Sequence, residues 1–423
     1  MAELIRLLEN NDGDAIQKAI DALPDGGLIM LGPGEYAIGK TILLKNDITI
    51  KGSGCDKTQL ILKDHADCHI MTNDNHRRRS HNIKLCDLGF DGNMHKQKNP
   101  EGKSPLLYSC GAYFKNVDGI HIENIKAINI HQTAFHFNEC RDVSIDGLDA
   151  DYMGWSGIST SGTDNIVVTR THVDRAGFLS VHSGIHIDGG EGVYLETRVS
   201  GTSGNAVMLD SAYRALHNVV VNCEGVDSKR GLSLSGSIKN PMENVTVGGR
   251  YAHNKEIGIL VSNASNVFII NCRVEHNPEY GILLQGRQGA IGCIVSRNVF
   301  ENNGIPIGEV HESKYNYFTM NQYFGNKSET KLKKRVERVK SVRNSASKKT
   351  EEIKKRLRLK KTLQKKSTVF RVSALYAAAK RNLSTPGARC VKVMAAQLVR
   401  PLCVTRDRQN CYWNCFPDTN QNH

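Results

Sequence analysis

Hydrophobic and polar residues alternate along most of the chain in short runs that return at a regular interval. GIHIENI from Gly119, DVSIDGL from Asp142, NIVVTRT from Asn165, GVYLETR from Gly192, NVVVNCE from Asn218, NVTVGGR from Asn244, VFIINCR from Val267 and GCIVSRN from Gly292 recur roughly every 23 to 27 residues. Each of the first seven is followed by a polar turn and a second alternating run: TAFHFNE, SGISTSG, SGIHIDG, NAVMLDS, RGLSLSG, IGILVSN and YGILLQG. Side chains on a strand point to opposite faces in turn, so each run has one apolar edge. A coil of this length cannot close a core alone, but it can share one with the coils before and after it. The pattern therefore predicts two short strands per coil of a solenoid. A leucine-rich repeat would require a Leu-rich consensus and a helical run in each unit, and neither occurs.

The predicted class is all-β, a single-stranded right-handed parallel β-helix over residues 27–326, with coils about 4.8 Å apart. Ahead of it, in residues 1–26, DAIQKAIDAL has helical spacing and suits a cap over the open end of the stack. Asn218, Asn244, Asn271 and Asn298 fall at turns, where Asn serves left-handed backbone or side-chain ladders. Beyond residue 326 the period stops. Residues 327–382 read as a basic helical or disordered segment, and residues 383–423 follow neither period.

Composition changes the picture mainly through charge. The chain of 423 residues has a formal net charge of +13. Residues 327–423 hold 26 Lys and Arg against 6 Asp and Glu, whereas residues 1–326 hold 30 against 37. An acidic body thus bears a basic tail, and the tail is a candidate tether to a polyanion or an anionic surface. No nucleic-acid motif accompanies it. Eight of the 12 cysteines lie in the body. Cys223 and Cys272 occupy matching repeat positions, which suggests reduced thiols in a core and not a disulfide framework. Cys390, Cys403, Cys411 and Cys415 are too irregularly spaced for a convincing zinc site. The N-terminal MAELIRLLENNDGD lacks an apolar h-region, and no run approaches a membrane span. The expectation is a soluble chain that is cytoplasmic, exported by a non-classical route or carried on a virion.

Candidate chemistry follows from register. In GIHIDG the isoleucines point inward, which turns His186 and Asp188 outward. Carried through the stack, one outward column reads His136, Ser159, His186, Met208, Ser233, Leu260 and Leu283. The other reads Asn138, Ser161, Asp188, Asp210, Ser235, Ser262 and Gln285. Asp188 and Asp210 should lie about one coil apart, close enough for each to raise the pKa of the other. Nearby loops contribute Asp151, Tyr152, Trp155, Arg175, His182 and Arg214. Trp155 is either a stacking surface for a sugar or a core plug. HRRRSH at 76–81 is a candidate contact for an anionic polymer, and DGNMHKQKNPEGK at 91–103 is a long loop whose Lys103 would neutralise a carboxylate.

The run DAIQKAIDALPDGGLIMLGPGEYAIGKTILL with DITIKGSGCDKTQLIL resembles the cap and first coils of pectate-lyase-like β-helix proteins. LCDLGFDGN is similar to the coil that follows in the mannuronan C5-epimerases. The resemblance implies a partner that is an anionic, uronate-containing polysaccharide, and a reaction begun by removal of the C5 proton. Epimerisation and β-elimination are the two outcomes of that step. Where those epimerases carry Gly-Phe-Asp-Pro-His-Glu, this chain has AFHFNE. Phe135 and Glu139 match, whereas His136, Phe137 and Asn138 stand in place of Asp, Pro and His. In such a reaction Lys103, Arg175 or Arg214 would neutralise the carboxylate, His186 or His136 would be the base, and Tyr152 the acid. In a glycosidase on the same scaffold, Asp188 and Asp210 would be the two carboxylates. A non-catalytic glycan-binding or structural β-helix, of viral fibre or adhesin type, is the third reading. No cofactor is required by the pattern. Ca2+ stays a candidate, although the glycine-rich calcium-binding nonapeptides of secreted epimerases are absent.

Overall fold

The computed structural model describes residues 4–7, 12–98 and 109–332. They form a parallel β-solenoid in which one sheet has 17 strands and the other 11. The first run of each repeat enters the larger sheet and the second run the smaller. β-Branched residues stack in register along the interior of the larger sheet: Ile120 on Val143, Ile166, Val193, Val219, Val245 and Val267. Across the core, Phe114, Phe137, Thr160, Ile187, Leu209, Leu234 and Val261 do the same in the smaller sheet. The rings of Phe114 and Phe137 stack with centroids 5.7 Å apart. Each apolar side chain is thus covered above and below by its counterpart one coil away, and the repeat generates one continuous core.

The helix Gly13–Asp21 closes one end. Asp12 caps it by accepting the Ala15 amide hydrogen at 3.1 Å, and Ile16, Ala19 and Ile20 pack against the first coils. The strand Leu4–Leu7 pairs in parallel with Gly27–Leu31, so strand pairing begins ahead of the helix. At the other end, pairing continues past residue 326 as far as the bridge between Gly308 and Lys331. The basic segment beyond residue 332 lies outside the described residues. No helix among the described residues is long and apolar enough to cross a membrane.

The turns use Asn in two ways. Asn218, Asn244 and Asn271 adopt left-handed backbone, with φ of 56°, 57° and 57°. Asn298 instead turns its side chain inward, where its Oδ1 accepts the Cys272 amide hydrogen at 2.8 Å and its Nδ2 donates to the Ile269 carbonyl at 3.0 Å. A parallel ladder runs from Asn254 through Asn277 and Asn303 to Asn326. It satisfies backbone groups that a buried turn would otherwise orphan. Cys223 and Cys272 share one interior column, separated by Gly249. All eight cysteines among the described residues are free thiols, six of them buried.

Candidate active site on the smaller sheet

The outward side of the smaller sheet carries both columns in the expected register. His136 pairs with Ser159, Ser159 with His186, and His186 with Met208; Ser161 pairs with Asp188 and Asp188 with Asp210. Outward does not mean wet. His136 is only 5% exposed and Ser159 8%. Each side chain in the column is roofed by its neighbours one coil away, and the aromatic members leave little room for water between them.

Tyr113, which precedes His136 in the column, was not among the expected residues. It is 3% exposed and stacks between His69 and His136, with centroids 5.3 Å away on either side. His76 meets its edge, also at 5.3 Å, and hydrogen-bonds through Nε2 to the Thr72 hydroxyl at 2.8 Å. Burial pushes the Tyr113 phenol up to about 12 and the His136 imidazole down to about 4, the nearby His186 adding to the second shift. His136 is therefore a neutral ring enclosed in a stack.

His186 is half-buried, and its imidazole is also pushed below the usual range by burial, against the pull of Asp188 and Asp210. Its buried Nε2 has no hydrogen-bond partner. Asp210 is raised above the usual carboxylate range, first by burial and then by Asp188, while His186 acts in the opposite direction. The two carboxylates are held from the same turn. Ala212 donates its amide hydrogen to Asp210 Oδ1 at 2.9 Å, and Tyr213 donates its own to Asp188 Oδ1 at 2.8 Å.

That turn forms one edge of the site. The Tyr213 ring lies over Gly162, where an added Cβ would come within 2.7 Å of it, and the phenol donates to Glu139 Oε1 at 2.7 Å. Arg214 donates to the Gly162 carbonyl at 2.7 Å and is ion-paired with Asp164. On the opposite edge, Trp155 and His182 stack with centroids 4.2 Å apart and rings inclined by 13°. Trp155 is half-buried and does not belong to the hydrophobic core. The adjoining Phe178, Leu179 and Val181 are exposed.

Asp151, Tyr152 and Arg175 make a separate cluster on the larger sheet. Arg175 is ion-paired with Asp151 and stands 5.6 Å over the Tyr152 ring, which packs on Phe178 at 4.4 Å and on His95 at 6.0 Å. The structure brings His136, His186, Asp188 and Asp210 together and adds Trp155, His182 and Arg214 at their edges. Tyr152 makes its ring contacts elsewhere. Lys103 lies outside the described residues. Among the described residues, no group of three or more His, Cys, Asp or Glu side chains is disposed to hold a metal ion.

Residues 183–335 match a family model described as right handed beta helix region. The pre-neck appendage protein of Bacillus phage B103 is 25% identical over 241 residues, which are 51% of this chain and 27% of that protein. The chain thus spans about a quarter of the length of this curated relative. Among solved structures, the A-module of Azotobacter vinelandii mannuronan C-5 epimerase AlgE4 aligns with a TM-score of 0.64 at 16% identity, covering 77% of this chain and 98% of that one. The N-terminal fragment of bacteriophage Phi29 gene product 12 aligns with a TM-score of 0.63 at 14% identity, covering 77% and 61%. At these identities the likeness to solved structures is one of fold. The chain is a right-handed parallel β-helix, similar in fold both to an epimerase module and to a bacteriophage gene product.

Proposed function

We propose that the protein binds a polysaccharide along the outer side of the smaller sheet and cleaves a glycosidic bond at Asp188 and Asp210. The observation that carries this reading is the pairing of the two carboxylates on adjacent coils, with Asp210 raised by burial and by its neighbour. A carboxyl group whose pKa is raised holds its proton to higher pH than an ordinary carboxylate, which suits it to protonate the departing glycosidic oxygen. Asp188, steadied by the Tyr213 amide, is the partner carboxylate. Their position on adjacent strands, about 4.8 Å apart, supports the roughly 5–5.5 Å spacing of retaining glycosidases over the roughly 6.5–9.5 Å that admits a water molecule. Asp188 would then attack the anomeric carbon as Asp210 gives its proton to the leaving oxygen. Water would release the sugar from Asp188, returning a proton to Asp210. The Trp155–His182 stack offers a flat surface to a neighbouring sugar ring.

One observation favours a second reading. Burial pushes the His186 imidazole below its usual range and one of its ring nitrogens lacks a partner, properties that suit a base for the C5 proton of a uronate. That reaction also needs a cation beside the C6 carboxylate, and of the candidates for that role among the described residues, Arg175 and Arg214 are both ion-paired with aspartates. Hydrolysis is therefore preferred.

Incubating the full-length protein with acidic and neutral glycans separates the readings. New reducing ends without unsaturation, lost in Asp188→Asn and Asp210→Asn, support hydrolysis. Ultraviolet-absorbing unsaturated ends, or altered uronate configuration without cleavage, would assign the C5 reaction. A glycan that is bound but unchanged would leave a binding rod.

A further inference from the structure

The basic loop at residues 74–79 lies at the same edge of the smaller sheet as the turn that holds Asp188. Arg79 donates to Asp118 at 2.6 Å and to the Glu139 carbonyl at 3.4 Å; the Glu139 carboxylate accepts the Tyr213 phenol at 2.7 Å; and the Tyr213 amide donates to Asp188. One line of contacts therefore joins the loop to the carboxylate pair.

The loop itself is firmly built. Asn75 Oδ1 accepts the amide hydrogens of Arg77 and Arg78, both at 2.9 Å, and Asn73 Nδ2 donates to the Asn75 carbonyl at 2.8 Å. Asn116 Nδ2 donates to the His76 carbonyl, also at 2.8 Å. These bonds order the backbone and leave the guanidinium groups of Arg77 and Arg78 exposed, with no ion pair to a described acid. Lys115, half-buried on the strand Ala112–Lys115, also has no ion pair among the described residues. It occupies the column that continues through Asn138 and Ser161 to Asp188. The acids nearby are Asp74, which faces His76, and Asp118 and Glu139, which are engaged by Arg79 and Tyr213. Three cations without partners thus outnumber one free acid at this end, while the other end of the same column carries Asp188 and Asp210.

We infer that Arg77, Arg78 and Lys115 form a subsite for an anionic substituent of the polysaccharide, with Lys115 three coils or about 14 Å from Asp188 and the two arginines following the strand one coil further. The inference rests on the proposed site for the position of the chain but not on the reaction. The recognised chemistry is a carboxylate or sulfate on a sugar two or three units from the bond at Asp210. The reacting sugar itself meets two aspartates and carries no required charge. The preferred substrate is accordingly a polysaccharide in which acidic substituents lie close enough along the chain to reach the subsite while the susceptible bond is at the pair.

The test measures binding to the full-length Asp210→Asn protein, in which turnover is blocked, by calorimetry. The probes are polygalacturonate, alginate, hyaluronan, dextran sulfate and uncharged dextran. The combined substitution Arg77→Ala, Arg78→Ala and Lys115→Ala is expected to weaken binding of at least one acidic probe roughly tenfold and to flatten its salt dependence. Arg77→Lys with Arg78→Lys should restore most of the affinity. Carboxylated probes against dextran sulfate identify the anion. Because residues 327–423 are present throughout, any contribution of the basic tail cancels in the comparison. Unaltered affinity and salt dependence in the triple variant, or no binding of any acidic probe, would overturn the subsite. Loss of acidic binding in the triple variant, from a wild type that cleaves none of these glycans, would retain the subsite and reject hydrolysis. Cleavage with no preference for charge would do the reverse.

Discussion

The coils from Tyr113 to Asp210 and those from Ser233 to Gln285 share a fold, a register and a core, yet they differ on both of their non-core surfaces. On the outer side of the smaller sheet the earlier coils carry Tyr113, His136, His186, Asp188 and Asp210, where the later ones carry Ser233, Ser235, Leu260, Ser262, Leu283 and Gln285. At the inner turns the order of investment is reversed. The later coils build a continuous Asn ladder through Asn254, Asn277 and Asn303, whereas one coil earlier the Ser228 hydroxyl takes the place of the Asn side chain and accepts the Thr202 amide hydrogen. Regular repetition satisfies buried backbone and contributes stability. The proposed chemistry is concentrated where the outer residues depart from the repeat and where polar groups are buried.

The comparison breaks most visibly at Asp210. Asp210→Asn should lower the rate of glycan cleavage by roughly a thousandfold or more with little change in thermal unfolding, whereas Ser235→Ala, one coil on, should change neither. The converse is expected at Asn277, which is fully buried and bonded both to its neighbours in the ladder and to backbone carbonyls. Asn277→Ala should cost about 3 kcal/mol of stability by denaturant titration and leave glycan binding to the folded protein unchanged.

His136 gives the comparison a pH dependence. Its folded pKa is depressed from 6.5 to about 4, so the folded state prefers the neutral ring. Its contribution is present above the unfolded pKa and is lost as pH falls through that value toward the folded one. Between pH 6.5 and 4 this amounts to about 3 kcal/mol. His136→Phe, which keeps a ring against Tyr113, should lose less stability over that interval than the wild type. A smaller effect is expected at Trp155: removing the stacking surface in Trp155→Ala should raise KM by about tenfold with kcat nearly unchanged. Tyr152→Phe should alter cleavage less than twofold, because Tyr152 packs with His95, Phe178 and Arg175 on the larger sheet.

The fold was legible because a coil repeat and a strand period of two are both written in the order of residues. Their combination places His186 beside Ser159 and Asp188 beside Asp210 without knowledge of any long-range contact. What could not be read is how much water reaches each position. His136 alternates outward like Asp188, but its exposure depends on Tyr113, which lies beside the long segment 92–109 and outside the aligned runs. Extending the register one coil back through AYFK would have found it. Nor does spacing reveal that Tyr152 and Arg175 pair off on the other sheet, or that Tyr213 crosses Gly162 to reach Glu139. Those contacts depend on the path of turns, where no period holds. HRRRSH was visible as a basic loop, but its connection to the carboxylate pair depends on Arg79, Glu139 and Tyr213 meeting in space.

The most direct test of the central claim is the anomeric configuration of the first sugar released by the full-length protein, followed by proton NMR alongside Asp188→Asn and Asp210→Asn. The account predicts a product of retained configuration that forms with the wild type and fails to form with either variant. Release that persists in both variants, or a product bearing an unsaturated end, would contradict it.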